Sequence, residues 1–468
     1  MPRGEQVPLG EIDSFVAEQM ELGRAPGLAL SVRVDGEPVL ERGYGVADVA
    51  TGAAMTERSG VVIGSTTKAL TCTALLQLVD RGLLDLDAPI QRYLPAFHVA
   101  DPEASARMTV RQAVTHTAGL RPSAADNPNF LFNDDVADDA LERYIASLAT
   151  MDLLWPPGAG WLYANDGYCI AGRIIEVLSG LRYEEYVRQN LLVPLGLEEA
   201  AFWPEERPGL QMATPHDYDH DGRPYPSFRA RNRASAAAGS QLILTARDAG
   251  RWLQAMLDGG RVDGTRLLSE HGFAELIRPQ AEIPPGERGD GEAWYALGWM
   301  VRQLDGTTVI SHGGATITMG SQFIVVPSER LAVAVVANSV SDVTAIVGEG
   351  VVALLQGRRP VRSFPRVDPS FQPETSLWPR LTGTYRALRP QNKVTGPWTI
   401  VLDGGRLRVR TYPGDSRRRP GDIFLLPLAD TRFVLFGRGR TGGIAEFEVD
   451  GREVRGTWEG VPIVKEHD

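Results

Sequence analysis

From residue 379 to the end, the chain carries short alternating apolar runs and no helical period, which leaves few folds open to it. The runs stand at 398–402, 407–410, 423–426, 433–436, 444–449 and 456–459, and turn pairs such as Asp403-Gly404 and Asp450-Gly451 separate them. Short strands at this spacing, with no helices to cover an open sheet, are expected to close into a small antiparallel β-barrel. The stretch before them, 357–378, is rich in Arg, Pro and Ser and reads as a linker. The expected division is one domain over 1–356, the linker over 357–378 and the barrel over 379–468.

The first 356 residues mix both periods. A helix is expected over 9–22, a strand over 27–34, and a hairpin turn at Asp35-Gly36. Later apolar runs at 296–301, 308–310, 320–326 and 331–336 read as strands of an antiparallel sheet, and 343–355 as a helix that packs on it. The middle of the chain is helical, with a short helix after Thr109, one over 168–179 and one capped by Thr245. The fold class is therefore mixed α/β (α+β), with an antiparallel sheet flanked by helices and an all-helical subdomain beside it.

The bulk properties narrow the function. The 468 residues include 48 basic and 59 acidic side chains, a net charge of -11, and no basic block that would suit nucleic acid. Cys72 and Cys169 cannot make a disulfide framework and fall in apolar helical patterns, so both are read as buried thiols. The first residues lack the apolar core of a signal peptide, and no stretch is long enough to span a membrane. The expectation is a cytoplasmic protein with no membrane partner. His216-Asp217-Tyr218-Asp219-His220-Asp221-Gly222 resembles the front of a calcium loop, but Phe228 stands where the bidentate Glu is required. It is read as a hairpin turn, and no metal or cofactor is assigned.

Three short motifs carry chemistry. Ser65-Thr66-Thr67-Lys68 opens a helix, so Ser65 and Lys68 share one face near its N-terminus. A serine needs a base before it can attack a carbonyl, and a lysine serves only when neutral. That takes a shift of roughly three pKa units from about 10.4, which burial or a neighbouring cation supplies. Tyr163-Ala164-Asn165 and His312-Gly313-Gly314 follow in order along the chain. With these three triplets the chain resembles the penicillin-binding and class C β-lactamase-like serine hydrolases, over roughly residues 10–355. Supporting stretches are Leu84-Asp85-Leu86-Asp87-Ala88-Pro89, Thr115-His116-Thr117-Ala118-Gly119-Leu120 and Thr245-Ala246-Arg247-Asp248. The barrel is similar to the lipocalin-like appendage of some members.

The resemblance implies roles. Ser65 would be the nucleophile and Lys68 its proton acceptor or relay. Tyr163 would share that network and protonate the leaving group, with Lys68 and Tyr163 both open as the base. Asn165 would hold Lys68 and the substrate amide. The backbone N–H groups of Ser65 and Ala315 would form the oxyanion hole, with Ala315 opening the strand after Gly314. Gly313 and Gly314 would allow close approach of a ligand. His312 departs from the Lys of the β-lactamases and the Trp of many related esterases, and is similar to peptidase-like members. It would orient Tyr163 or neutralise a substrate carboxylate. His116 is read as structural.

The function this implies is a serine acyl-enzyme hydrolase acting on a small peptide, amide or ester. One alternative is an acyltransferase or peptide-cyclising thioesterase that takes a carrier-bound or thioester acyl donor. Another is a non-catalytic binding scaffold. The loops at 121–140, 203–235 and 279–292 are expected to choose the substrate.

Overall fold

The computed structural model describes residues 7–121, 134–285, 291–304, 306–316, 318–388, 398–410, 422–437, 441–451 and 453–466. Two of the loops expected to choose the substrate lie partly outside them, at 122–133 and 286–290. Helices α1 (Leu9–Leu22), α2 (Thr67–Asp80), α3 (Asp166–Ser179), α4 (Ala246–Leu257) and α5 (Val343–Leu355) frame the first domain. Its eight-stranded antiparallel sheet runs Glu37–Gly45, Gly27–Val34, Leu331–Ala337, Gly320–Val326, Thr307–Ala315, Met300–Leu304, Ala293–Tyr295, Ala281–Glu282. Among the described residues no helix is long and apolar enough to cross a membrane.

Strand period two sorts the apolar residues into two cores. Phe323, Val325, Ala334 and Val336 face the large core shared with α2, α3 and α4. Ile324, Val326, Val333 and Val335 face the core beneath α1 and α5. With both faces covered, Gly320–Val326 and Leu331–Ala337 are buried at every position, so they read as unbroken apolar runs. Helix α2 is buried from Thr67 to Leu78, wedged between the sheet and the helical subdomain. An all-round buried helix cannot shift, which fixes what its N-terminus presents.

The expected strand over 296–301 is two strands and a turn. Ala293–Tyr295 and Met300–Leu304 pair antiparallel, and the Ala296 N–H donates to the Trp299 carbonyl across the turn at 2.7 Å. Gly298 has φ +77°, and a Cβ there would lie 2.6 Å from the Lys68 carbonyl. The apolar residues of this run are buried because the turn plugs against α2, and burial alone does not reveal pairing.

The 357–378 stretch does not swing free. Phe364 is buried in the α1/α5 core, and its N–H donates to Gln19 Oε1 at 2.7 Å. Beyond it, eight strands from Gly383–Ala387 to Val461–Lys465 close into an antiparallel barrel of lipocalin-like build, the last strand pairing with the first. Tyr385, Phe433, Phe447 and Trp458 fill its interior. Val434 and Phe436 point the other way, into the first domain's core, where Phe436 meets Tyr218 edge-on at 5.6 Å. The 216–222 segment is a hairpin, with strands His216–Tyr218 and Pro224–Pro226. Ligand atoms of Asp219, His220 and Asp221 lie within 4.8 Å of one another at its tip. Asp219 Oδ1 accepts the Asp221 and Arg223 N–H groups, and Asp221 pairs with Arg406 of the barrel. The cluster thus serves as turn and docking contact.

Candidate active site

A 3₁₀ turn, Gly64–Thr66, delivers the chain into α2. Between Val61 and Leu70, Ser65 alone is not buried. Lys68 is fully buried, with Nζ 2.8 Å from Ser65 Oγ. It also donates to the Ala238 carbonyl at 2.6 Å. Among the described residues no carboxylate pairs with it. Burial pulls Lys68 down to about 7, against a small opposing effect of the Cys169 and Cys72 thiols. Burial in turn pushes the Cys72 thiol up to about 12, so it stays neutral. The two cysteines therefore help form the wall that dehydrates the amine. Its desolvated Nζ sits 4.9 Å from the Tyr163 ring centroid and 5.2 Å from that of Tyr168.

Tyr163 comes from the segment before α3, and it lines the same cleft as Ser65. Burial pushes its phenol well above its ordinary range. Asn165 begins α3, but it does not hold Lys68 as expected: its Oδ1 is buried without a hydrogen bond and the residue lines the pocket at Ser65. The Ala238 carbonyl takes the place expected for Asn165.

His312 is buried in the strand Thr307–Ala315. Its Nδ1–H donates to the Gly313 carbonyl at 2.5 Å, which leaves Nε2 to accept from the Tyr295 phenol at 2.9 Å. Burial, then the Lys68 charge, lowers His312 to about 3, so it is neutral. Its ring centroid lies 6.2 Å from that of Tyr163. With both nitrogens engaged, it neither orients Tyr163 directly nor offers a cation to a substrate carboxylate.

His116 occupies the space behind Tyr163. It is buried, with φ +64°, and its Nδ1 accepts the Ala164 N–H at 3.1 Å. Its ring lies 4.2 Å from Tyr163 and 4.4 Å from Tyr295, centroid to centroid. It holds both the backbone of the Tyr163-Ala164-Asn165 segment and the ring of its first residue. His116→Ala is expected to lower kcat about 30-fold with KM changed less than about threefold, because orientation is lost and binding is not. Asn tolerates positive φ and keeps an acceptor for Ala164. His116→Asn should therefore recover the Tm of the native protein but not its kcat.

Ala315 closes the strand Thr307–Ala315 instead of opening the next one. A Cβ on Gly314 would lie 2.0 Å from the Ile63 carbonyl. The chain's own backbone, and not only a ligand, requires glycine there. Ser65 and Ala315 both border a pocket of about 50 Å³ that includes Asn165, Phe228 and Arg229. Ser65 also opens onto a cleft of about 680 Å³ with Tyr163, His312 and Gly313 on one side. Thr441 to Ile444 and Glu459 of the barrel wall the other side.

Sequence reasoning missed Tyr295, the Ala238 carbonyl and Arg229. Tyr295 stands in a run whose only visible property is apolarity, and a carbonyl leaves no mark in a sequence.

The family model described as Beta-lactamase matches residues 12–356, and the chain belongs to that family. It is 34% identical over 322 residues to Penicillin-binding protein 4 of Amycolatopsis lactamdurans, covering 67% of this chain and 81% of that protein. It is 30% identical over 223 residues to Esterase EstB of Burkholderia gladioli, covering 46% of this chain and 55% of the esterase. The octameric penicillin-binding protein homologue from Pyrococcus abyssi superposes with a TM-score of 0.67 at 24% identity. That match covers 98% of this chain and 100% of that one, so the likeness of fold includes the barrel.

Proposed function

We propose that the protein is a serine acyl-enzyme hydrolase of small peptides, amides or esters, with Ser65 as nucleophile and Lys68 as its base. The observation that carries this is the buried amine 2.8 Å from the only unburied residue of its segment, with no carboxylate among the described residues to hold its proton. Neutral Lys68 takes the Ser65 proton as Oγ bonds to the carbonyl carbon. The oxyanion forms against the backbone N–H groups of Ser65 and Ala315. Tyr163 remains a phenol, gives its proton to the leaving group as the C–N or C–O bond breaks, and recovers a proton from the Lys68 ammonium. Water then takes the place of the leaving group, gives its proton back along the same path, and releases the acid. Asn165 Oδ1, left without a partner, accepts the substrate amide N–H.

Intact-protein mass spectrometry after a fluorophosphonate should show one adduct, mapped to Ser65 and absent in Ser65→Ala. No adduct, or the same adduct in Ser65→Ala, would reject the proposal.

A second reading is acyl transfer, and the walled cleft favours it. The barrel encloses the side from which water or another nucleophile arrives, leaving room for an amine or alcohol. With an ester donor and millimolar amine acceptors, formation of amide at the expense of acid supports transfer. Acid alone across the acceptor panel rejects it.

A further inference from the structure

The two spaces at Ser65 divide the substrate. A leaving group must lie beside its proton donor, and Tyr163 lines the large cleft but not the small pocket. The small pocket therefore receives the acyl substituent. Arg229 lines it. Its Nη2 donates to the Phe202 carbonyl and to Gln241 Oε1, each at 3.0 Å. Nε and Nη1 are buried and make no hydrogen bond. Among the described residues no carboxylate pairs with this guanidinium, whereas its neighbour Arg231 has Glu205 at 2.9 Å.

We propose that Arg229 makes this pocket an anion subsite, and that the substrate's acyl group carries a carboxylate a few carbons from the scissile carbonyl. The proposal rests on the acyl-enzyme reading above. Arg229 is half-buried, its Nε and Nη1 are without hydrogen-bond partners, and the nearest acidic influence, Glu205, is already ion-paired with Arg231, so a ligand that brings a carboxylate of its own relieves a real cost. Burial first, then the Arg231 charge, lowers Arg229 to about 10 against the opposing charge of Glu205, so it is still protonated at neutral pH. Its Nη2 is bound to neutral oxygens, and exchanging one of them for a carboxylate oxygen gains a charge-assisted bond. His312 cannot fill this role, because it is neutral and engaged at both nitrogens.

The test compares 4-nitrophenyl hydrogen glutarate with its carboxamide isostere, each corrected for uncatalysed loss. The native protein should favour the charged ester about 30-fold in kcat/KM. Arg229→Gln should remove at least tenfold of that preference, and Arg229→Lys should keep part of it. Fluorophosphonate labelling of Ser65 in the Gln variant verifies that its site is intact, and the native ratio stands as evidence even where that variant does not fold. A native ratio of one or less overturns the subsite, as does an unchanged ratio in a labelled Gln variant. No Ser65 labelling in the native protein overturns the acyl-enzyme reading and the subsite with it. Labelling without preference overturns the subsite alone.

Discussion

Replacing Lys68 by Met is expected to lower kcat/KM about 10⁴-fold while raising stability at acidic pH. The first effect follows from the proposed reaction, in which the amine 2.8 Å from Ser65 Oγ accepts its proton. The second follows from linkage. Lys68 sits at about 7 in the folded chain, and an unfolded lysine at about 10.4. The unfolded state therefore binds the extra proton between those values, and stability contributed by this group rises with pH across that window. Below about pH 7 the native protein bears the whole burden of burying the cation, on the order of 4 kcal/mol. Methionine removes that burden but leaves the Ala238 carbonyl without its donor, which costs about 1 kcal/mol. A net gain of about 2–3 kcal/mol at pH 6, shrinking toward pH 10, is expected in denaturant titrations. A Lys68→Met protein less stable than native at pH 6 would contradict the buried, depressed amine. Lys68→Arg should not rescue activity, since a guanidinium cannot reach neutrality.

Gly64→Ala is expected to lower kcat about 10²–10³-fold. Gly64 has φ +63°, and a Cβ there would stand 2.5 Å from the Ala315 nitrogen and 2.9 Å from the Gly314 carbonyl carbon. Both are backbone, so relief requires moving away from Ser65 the strand that carries the proposed oxyanion donor, Ala315. Losing one such donor is worth about 3–4 kcal/mol of transition-state stabilisation. Strain from positive φ adds about 1–2 kcal/mol to the stability loss. Gly52→Ala separates the two effects, because Gly52 has φ +72° with nothing within 4 Å of a Cβ. It should show the strain in Tm and leave kcat unchanged. Native-like kcat in Gly64→Ala would mean that Ala315 does not serve as a donor.

The elements most legible in the sequence are those whose burial is periodic. Helix α1, the strand Gly27–Val34, the strand Gly320–Val326 and helix α5 fall at the expected positions because one stripe or both faces are covered. The barrel was legible through the absence of helical period together with regular turns. The run at 296–301 was not, because a buried turn and a buried strand are equally apolar. At the site, the closeness of Ser65 and Lys68 can be read from their spacing at one helix start. Their surroundings cannot. The Ala238 carbonyl that replaces Asn165 as a Lys68 partner comes from a 3₁₀ segment 170 residues away. The Tyr295 hydroxyl that engages His312 lies two strands over in the sheet. His116 reads as a structural histidine until its ring is seen against Tyr163. Such contacts depend on tertiary placement, which no local pattern encodes.

The central claim is that an uncharged Lys68 activates Ser65 at neutral pH. The second-order rate of fluorophosphonate labelling, followed by intact mass from pH 5 to 9, tests it most directly. The rate should rise tenfold per pH unit below an apparent pKa of about 7, level off above it, and place the adduct on Ser65. Labelling that does not vary with pH, or an adduct elsewhere on the chain, would contradict it.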